Sequence, residues 1–265
     1  MDNFYTAAQA QRRLGLARST FFYLVKKGTI RKVVFPGMKQ GLYPRSEIDE
    51  LALSIKALIE QFDTSSSVFE PATINDLATE VEIDNALYGN KGTTPLERRI
   101  ERLERNPESN FVLRRSGGIV GHVSFYPVEA DYLQKLLHAE VSGIPADKVL
   151  PWTPGVPLQV FFSIISVRAG FPPDVAPHIG LRLLAGSVSV LRSLGRRGVI
   201  IETISATTRT ASGIKLARDL GMTGELIGDE PDRWRFTLDV AASGSLLIQE
   251  YKQGLEEFQK GGALS

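Results

Sequence analysis

One segment constrains the fold more than any other part of the chain. The apolar run VPLQVFFSIISV is followed by a loop and then by a helical pattern, GLRLLAGSVSVLRSLGRRG. The run is rich in β-branched and aromatic residues and is too short and interrupted to span a bilayer, so it predicts a buried strand. A strand, a loop and a helix start in this order often hold a phosphate, because the first helical amides point at the anion.

The loop of this segment departs from the usual phosphate-binding composition. The stretch SVRAGFPPDVAPHIGLRLL contains three prolines, one histidine and only two glycines. Proline offers no amide hydrogen, and glycine is the residue that lets a backbone approach a phosphate closely. From the residues alone, a phosphate site and a connection that only packs are about equally favoured.

The segments before this unit predict two helices and a hairpin. VFEPATINDLATEVEIDNALYG reads as a strand and then a helix, with Thr73 as its cap and Asp76 completing a capping-box-like pair. TPLERRIERLERNPES reads as a charged helix whose apolar face carries Leu96, Ile100 and Leu103. NFVLRRSGGIVGHVSFYPV alternates as a hairpin that turns at residues 117–118.

The remaining patterns complete a mixed sheet. Residues 129–158 are rich in proline and glycine and predict an insertion over one face of the sheet. After the opening unit come the strand VIIETISAT, the helix TASGIKLARDLGM, the strand RWRFTLDVA and a C-terminal helix. The order β-α-α-β-β-insertion-β-α-β-α-β predicts an α+β (mixed) domain over residues 68–265, with helices on both sides of the sheet.

Composition excludes several classes of protein. The chain is 43% hydrophobic and 23% charged, so it is neither disordered nor fibrous. It has no cysteine, so disulfides, thiolate metal sites and a cysteine nucleophile are excluded. The start MDNFYTAAQAQRR is polar and turns basic, unlike a secretory signal. We expect a cytoplasmic protein with no membrane partner.

The near-neutral net charge of +1 hides an asymmetry. Residues 1–56 carry ten Lys/Arg and four Asp/Glu, a net charge of +6, whereas the remainder carries 21 and 26, a net of −5. A basic first quarter on a mildly acidic body indicates two units with different partners, of which the basic one faces a polyanion.

The basic quarter predicts a winged helix-turn-helix. Thr6 can cap a first helix that Gly15 ends, and a second helix over residues 19–27 uses Phe22, Leu24 and Val25 as its apolar face. IRKVVFPGMKQGLYP reads as two short strands around a Pro-Gly turn. A long amphipathic helix then carries, in register, Ile48, Leu51, Ile55, Leu58 and Ile59. We place this domain at residues 1–62 and a polar linker at 63–67.

Basic and polar side chains along these helices predict contacts with double-stranded DNA, on phosphates and, near the start of the second helix, on base edges. The alternative is a solvated basic hairpin, which would not explain the short turn, the wing and the charge together. The candidate DNA-binding residues are Arg12, Arg13, Arg18, Ser19, Thr20, Tyr23, Lys26, Lys27, Arg31 and Lys32, with Lys39 as a further phosphate contact.

Residues 4–52 resemble the excisionase/MerR-like helix-turn-helix family through Tyr5-Thr6, AAQAQRRLGL, RSTFFYLVKKGTI and a wing ending LYPRSEID. This resemblance implies a transcription regulator. A lone module of this size binds DNA weakly, so the long helix after it suggests a homodimer on two half-sites. The same helix could instead pack on its own domain.

Residues 68–240 resemble the GNAT acyltransferase superfamily through FEPATINDL, GIVGHVSFYPV, IISV…HIGLRLL and TTRTASGIKLARDLGM. The resemblance implies that acetyl-CoA or another acyl-CoA is the co-substrate and that an amine, unknown here, is the acceptor. It implies a strand that binds the pantetheine arm and a loop that binds the pyrophosphate. The cofactor-binding residues it implies are Val167, Arg168, His178, Gly180, Leu181 and Arg182.

Two positions depart from the family pattern. Ala217 stands where many members have a tyrosine that protonates the departing thiolate, and Thr210 replaces the preceding asparagine. A general base for the amine would be Glu202 or His122, although an exposed carboxylate and a hydrogen-bonded buried histidine are the simpler interpretations. His138 and His178 lie too far apart in the chain to argue for a metal site, so none is expected.

Three functions follow from these patterns. The first is a DNA-binding regulator whose C-terminal domain binds acyl-CoA and transfers the acyl group to an amine. The second is a non-catalytic regulator in which that fold is a ligand sensor or dimerisation module. The third is an acyltransferase that its basic N-terminal unit recruits to a substrate bound to nucleic acid.

Overall fold

A computed structural model of the chain describes residues 3–16, 18–35, 40–52, 67–172, 175–228 and 232–262. The residues before and after the gap at 53–66 are described below as separate units. Of the residues predicted for the long amphipathic helix, Ile55, Leu58 and Ile59 lie outside the described residues, as does Lys39.

The N-terminal unit contains three helices and a small antiparallel sheet. The strand β1 (Phe4–Tyr5) pairs with β2 (Tyr43–Pro44), and the helices are α1 (Ala7–Leu14), α2 (Arg18–Lys26) and α3, described over 45–52. Val33 and Leu42 form an antiparallel bridge between α2 and β2. The predicted ends of α1 are confirmed, since Thr6 forms a capping box with Gln9 and Gly15 closes the helix in the left-handed region.

The apolar face predicted for α2 is wrong by one residue. Phe21 is fully buried and packs edge-on against Tyr43, whereas Phe22 is 41% exposed. Leu24 and Val25 pack against the same small core, as predicted. The helix therefore presents Phe21, together with these two residues, to the core.

The second unit is built from seven strands and six helices among the described residues. The strands are β3 (Ser67–Pro71), β4 (Asn110–Arg115), β5 (Gly118–Val128), β6 (Pro157–Val167), β7 (Ile200–Thr208), β8 (Thr223–Leu226) and β9 (Trp234–Asp239). The helices are α4 (Leu77–Tyr88), α5 (Leu96–Arg105), α6 (Ala130–Leu137), α7 (Ala176–Arg196), α8 (Ala211–Asp219) and α9 (Leu246–Gly262). The predicted mixed α+β class is confirmed.

The strands form one sheet in the order β3-β4-β5-β6-β7-β9-β8. β6 and β7 pair in parallel through the crossover helix α7, and the other described neighbours pair antiparallel. Ser67, predicted as the end of the linker, is the first residue of β3. The short strand β8 was not predicted, and the β4–β5 turn is made by Ser116 and Gly117, both with positive φ.

Two helical layers cover the sheet. α7 and α9 lie on the face that buries Phe125, Val160 and Leu183 in the main core, and α4 and α5 lie on the opposite face. The predicted insertion packs α6 on that opposite face through Leu133 and Leu136, which contact the core beneath Tyr126.

The buried face of α5 differs from the predicted one. Arg99, Arg102 and Leu103 are buried, whereas Ile100 is only partly buried. A buried arginine is costly unless it is paired, and α4 supplies carboxylates opposite Arg99. The hydrophobic pattern of α5 alone could not indicate these partners, because they belong to another helix.

Candidate functional site

The sheet opens between its two parallel strands. β6 and β7 pair from Pro157↔Ile200 up to Phe162↔Ala206, and no pairing between them follows, although both strands continue and are described throughout. Residues 164–167 stay paired with β5, and residues 207–208 stay paired with β9. Each strand is therefore held by its outer neighbour, and the two diverge into a cleft. The edge of β6 that faces this cleft, residues 163–167, is called here the free edge.

A β-bulge marks the point of divergence. Ser124 pairs with Ile164 and Phe125 with Phe162, so Ser163 is an extra residue in β6. A bulge bends its strand and increases the local twist, and this one lies where the pairing of β6 with β7 ends. The side chains of the free edge are partly buried apart from that of Ser166, which is 2% exposed.

The amides at the start of α7 are engaged within the chain. Those of Val175 and Ala176 donate to the carbonyl of Pro172, at 2.9 and 3.1 Å. Those of His178 and Ile179 donate to the carbonyl of Val175, at 3.0 and 3.3 Å. These four amides are thus not directed at the cleft, which differs from a helix N-terminus that holds an anion.

The predicted start of this helix is wrong. α7 begins at Ala176, four residues before Gly180, and Pro177 stands in its first turn. Gly180 is therefore a residue inside the helix, and not the helix start on which the predicted phosphate contact depended. A Cβ atom added at Gly180 would lie 3.9 Å from Val167, so close packing does not require glycine there.

The other predicted cofactor residues surround this region but do not converge on one point. Arg168 donates from its backbone to Val120 and from Nε to the carbonyl of Ile119, each at 2.9 Å. The guanidinium of Arg182 donates to the carbonyl of Ser67 at 3.0 Å. His178 and Leu181 lie on the exposed side of α7, and Val167 packs against the main core.

A buried polar cluster lies between the sheet and the helices α4 and α5, next to the free edge of β6. Glu80 and Asp84 of α4 are fully buried, and Arg99 of α5 donates to both carboxylates, at 3.2 Å to Glu80. Asn110 of β4 donates to both oxygens of Glu80, at 3.1 and 3.0 Å. His122 of β5 completes the cluster, with Nε2 at 3.0 Å from Oδ1 of Asp84. A cluster of this kind persists only because its charges are paired.

The cluster reaches the free edge through two hydroxyl groups. Ser166 donates from Oγ to Oδ1 of Asp84 at 2.7 Å. The hydroxyl of Tyr88, at the end of α4, lies 3.4 Å from Oγ of Ser166. Glu80, Asp84 and Tyr88 are four residues apart on α4, so one face of the helix carries all three. Sequence reasoning missed this stripe, although its i, i+4, i+8 spacing was the available signal.

The environment sets the protonation of these groups. Burial alone would raise the pKa of Asp84, but its hydrogen bond from His122 and the charges of His122 and Arg99 outweigh that effect and hold the pKa below its usual range. Burial raises the pKa of Tyr88; the hydrogen bond with Ser166 opposes this effect, and the negative charge of Asp84 adds to it. At neutral pH, Asp84 is therefore ionised and Tyr88 keeps its proton.

The structure separates the two predicted bases. His122 is fully buried and meets Asp84, so it does not reach the cleft itself. Glu202 is exposed at a register shift opposite Leu158 and Gln159, where β6 and β7 are still paired. It lies four residues before the divergence at Ala206, roughly 13 Å along the strand.

The residues that depart from the family pattern have structural roles. Thr210 caps α8, and its hydroxyl accepts from the amide of Gly213 at 3.0 Å. Ala217 is 6% exposed, inside the packed face of that helix.

In the N-terminal unit, most of the predicted DNA-binding side chains that the structure describes are exposed, and two are paired with carboxylates. Arg13 forms an ion pair with Asp49 and Arg31 with Glu47, both at 2.5 Å. Tyr23 is 56% exposed, with the ammonium of Lys27 5.6 Å from its ring. The other predicted basic residues that the structure describes, all of them exposed, are Arg12, Arg18, Lys26, Lys27 and Lys32. The side chains of Ser19 and Thr20 lie outside the described residues.

Two further properties hold for the described part of the chain. No group of three or more histidine, aspartate or glutamate residues there is arranged to hold a metal ion. None of its helices combines the length and the apolar character needed to cross a membrane.

Comparison with known proteins gives the following similarities. No protein-family model matches the chain, and no curated protein matches it. Among solved structures, the chain is similar to the loading GNATL domain of CurA from Lyngbya majuscula, with 14% identity, 67% of this chain and 99% of that chain covered, and a TM-score of 0.47. It is similar to the ribosomal-protein-alanine N-acetyltransferase from Brucella melitensis, with 19% identity, 65% and 99% covered, and a TM-score of 0.41. It is also similar to Arabidopsis thaliana Naa50 in complex with the bisubstrate analogue CoA-Ac-MVNAL, with 12% identity, 66% and 99% covered, and a TM-score of 0.43.

Proposed function

We propose that the second unit binds an acyl-CoA thioester in the cleft between β6 and β7 and transfers its acyl group to an amine. The observation that carries this proposal is the divergence of the two strands after Phe162 while both remain held by their outer neighbours. A free strand edge presents backbone donors and acceptors. The two amide groups of a pantetheine arm can pair with such an edge as a further strand would.

The residues near the cleft support thioester binding more than pyrophosphate binding. The first amides of α7 are engaged with Pro172 and Val175, and Pro177 has no amide hydrogen. The pantetheine arm and the acyl group therefore supply most of the affinity, and the nucleotide end supplies less than it would at an anion-binding helix start. Of the implied cofactor residues, Val167 at the end of the free edge is placed best for this contact.

The reaction we propose is direct acyl transfer. The amine nitrogen attacks the thioester carbonyl carbon, the new N–C bond forms, the C–S bond breaks, and the proton lost by nitrogen balances the proton gained by the thiolate. His122 acts only through Asp84, because it is fully buried. Ala217 offers no acid, so the thiolate takes its proton from elsewhere.

Two measurements on the full chain test this proposal. Calorimetry with acetyl-CoA, together with thiol release over a panel of primary amines, is expected to show binding and amine-dependent release of CoA. Absence of binding at millimolar acetyl-CoA would overturn the proposal. Binding without release would favour the alternative, a non-catalytic sensor or dimerisation module, which the engaged amides of α7 and the missing tyrosine at Ala217 also favour.

We also propose that the N-terminal unit, residues 1–62, is a winged helix-turn-helix that binds double-stranded DNA in the cytoplasm, as a transcription regulator and as a homodimer. The supporting observation is that α1 and α2 expose basic side chains beside the antiparallel bridge of Val33 and Leu42. The full chain with Arg12, Lys26 and Lys27 changed to alanine is the test. The slope of log K against log salt is expected to fall by about 0.9 for each phosphate contact removed. An unchanged affinity and slope would refute DNA binding by this surface.

A further inference from the structure

The hydrogen bonds that link Asp84 to the free edge have a defined direction. An ionised carboxylate only accepts, so Ser166, 2.7 Å from Oδ1 of Asp84, donates its single hydroxyl proton to it. Arg99 on Oδ2 and His122 on Oδ1 bind the same carboxylate and fix its position.

The direction at Asp84 sets the direction at Tyr88. Because the proton of Ser166 is already donated, Oγ of Ser166 accepts from the hydroxyl of Tyr88. Their separation of 3.4 Å is long for such a bond. The proton of Tyr88 is then directed inward, and its oxygen offers only lone pairs to a ligand.

The position of Tyr88 fits a contact with substrate. Ser166 belongs to the free edge, four residues beyond the last pair with β7 at Phe162. Tyr88 is 41% exposed, so its ring borders solvent while its hydroxyl lies beside the buried cluster. The phenol oxygen of Tyr88 therefore lies beside Ser166, where the buried cluster meets the free edge.

We propose that Tyr88 orients the attacking amine, and that its hydroxyl oxygen accepts a hydrogen bond from the amine N–H. Ser166 and Asp84 act through it as positioning residues, because they hold the tyrosine proton inward. The attacking nitrogen gains positive charge in the transition state, so this hydrogen bond strengthens as the reaction proceeds. The inference rests on the proposed acyl transfer. It assigns amines, which can donate a hydrogen bond from N–H, as the molecules that accept the acyl group.

The test compares five variants of the full chain with acetyl-CoA and three amines: benzylamine, spermidine and an alanine-initiated peptide. Tyr88→Phe is expected to lower kcat/KM for the amine by about 10- to 100-fold, as for loss of a hydrogen bond to a group that gains charge. Its affinity for acetyl-CoA should stay within about twofold of wild type, because the acyl donor does not use this hydroxyl. Ser166→Ala is expected to give a smaller loss, in kcat more than in the affinity for acetyl-CoA.

Two controls remove comparable hydroxyls elsewhere. Tyr132→Phe removes a hydroxyl that donates to the carbonyl of Gly143 at 2.9 Å, and Ser187→Ala removes a buried one that donates to Leu183 at 2.9 Å. Neither should change the amine kinetics. The double variant Tyr88→Phe/Ser166→Ala should match Tyr88→Phe alone, since Ser166 acts only through Tyr88.

The outcomes separate this inference from the proposed function. If the wild-type protein does not bind acetyl-CoA, both the proposed acyl transfer and the role of Tyr88 are overturned. If wild type turns over an amine and Tyr88→Phe has the same kcat/KM, the role of Tyr88 is overturned and acyl transfer stands. The same holds if the losses of the two single variants add fully in the double variant. Binding of acetyl-CoA with no turnover of any of the three amines also counts against an amine-orienting tyrosine, and it leaves acyl-CoA binding intact.

Discussion

The clearest test of how the second unit is held together is the removal of one hydroxyl group, by Tyr251→Phe. The side chain of Tyr251, on α9, is 2% exposed and bridges the start of β7. Its hydroxyl accepts from the amide of Ile201 at 2.7 Å and donates to the carbonyl of Val199 at 2.8 Å. β7 begins its pairing with β6 at this point, so the hydroxyl anchors the closed end of the cleft.

The expected loss of stability follows from the two partners left behind. Both are buried, and a buried donor or acceptor that loses its partner costs about 1–3 kcal/mol. The phenylalanine ring keeps the packing, so we expect the free energy of unfolding to fall by about 2–6 kcal/mol in total. Urea unfolding followed by circular dichroism measures this change, and the denaturant dependence should stay the same.

Tyr132→Phe provides the matched control. Its hydroxyl makes one exposed hydrogen bond, so its removal should cost less than about 1 kcal/mol. If Tyr251→Phe costs no more than this control, the bridging role of Tyr251 is refuted. Burial also raises the pKa of Tyr251. The contribution of its protonated hydroxyl to stability is therefore complete below about pH 10, the pKa in the unfolded chain, and is lost as the pH rises through the higher pKa of the folded protein. The deficit of the variant relative to wild type should shrink in that range.

Two further predictions concern a glycine pair and acid stability. Gly186→Ala should destabilise the chain by about 1–3 kcal/mol, because the new methyl group would overlap the ring of Phe69. Gly180→Ala should be neutral or stabilising by up to about 1 kcal/mol and should leave the affinity for acetyl-CoA unchanged. Equal thermal midpoints for the two variants would contradict this prediction. Burial alone would raise the pKa of Asp76, but hydrogen bonds from Thr73 and Arg114 lower it. The stabilising contribution of the Asp76 carboxylate is therefore present above about pH 4, the pKa in the unfolded chain, and is lost as the pH falls through the lower pKa of the folded protein. The stability gap between wild type and Asp76→Asn, measured by urea unfolding at pH 7 and pH 3, should narrow at the lower pH, and a constant gap would show that Asp76 does not titrate with unfolding.

Local signals were sufficient wherever one segment contains its own partners. The sequence predicts Thr6 as a helix cap and a capping-box-like pair of Thr73 with Asp76, and both threonines form capping boxes. Periodicity predicts the order of the strands and helices apart from the short strand β8, and the composition of residues 129–158 predicts the insertion over one face. The start of α7 had a signal that was not used, since proline is common in the first helical turn and Pro177 stands there.

The candidate site could not be predicted in the same way. The cluster joins Asp84 of α4, Arg99 of α5, His122 of β5 and Ser166 of β6, and periodicity within one element does not show which polar residues of another element it meets. The divergence of β6 and β7 likewise depends on which strand holds each outer edge. His122 was selected as a candidate, but its burial and its bond to Asp84 appear only in the assembled fold.

Calorimetric titration of the full chain with acetyl-CoA and with S-acetylpantetheine tests the central claim most directly. Both ligands are expected to bind, with dissociation constants within about tenfold of each other, a difference of about 1.4 kcal/mol. The reason is that the first amides of α7 are engaged and the free edge of β6 holds the pantetheine arm that both ligands share. If neither ligand binds at millimolar concentration, the proposed binding of acyl-CoA at the free edge is wrong. Tight binding of acetyl-CoA together with no binding of S-acetylpantetheine would also contradict it, since that result would place the affinity at the pyrophosphate.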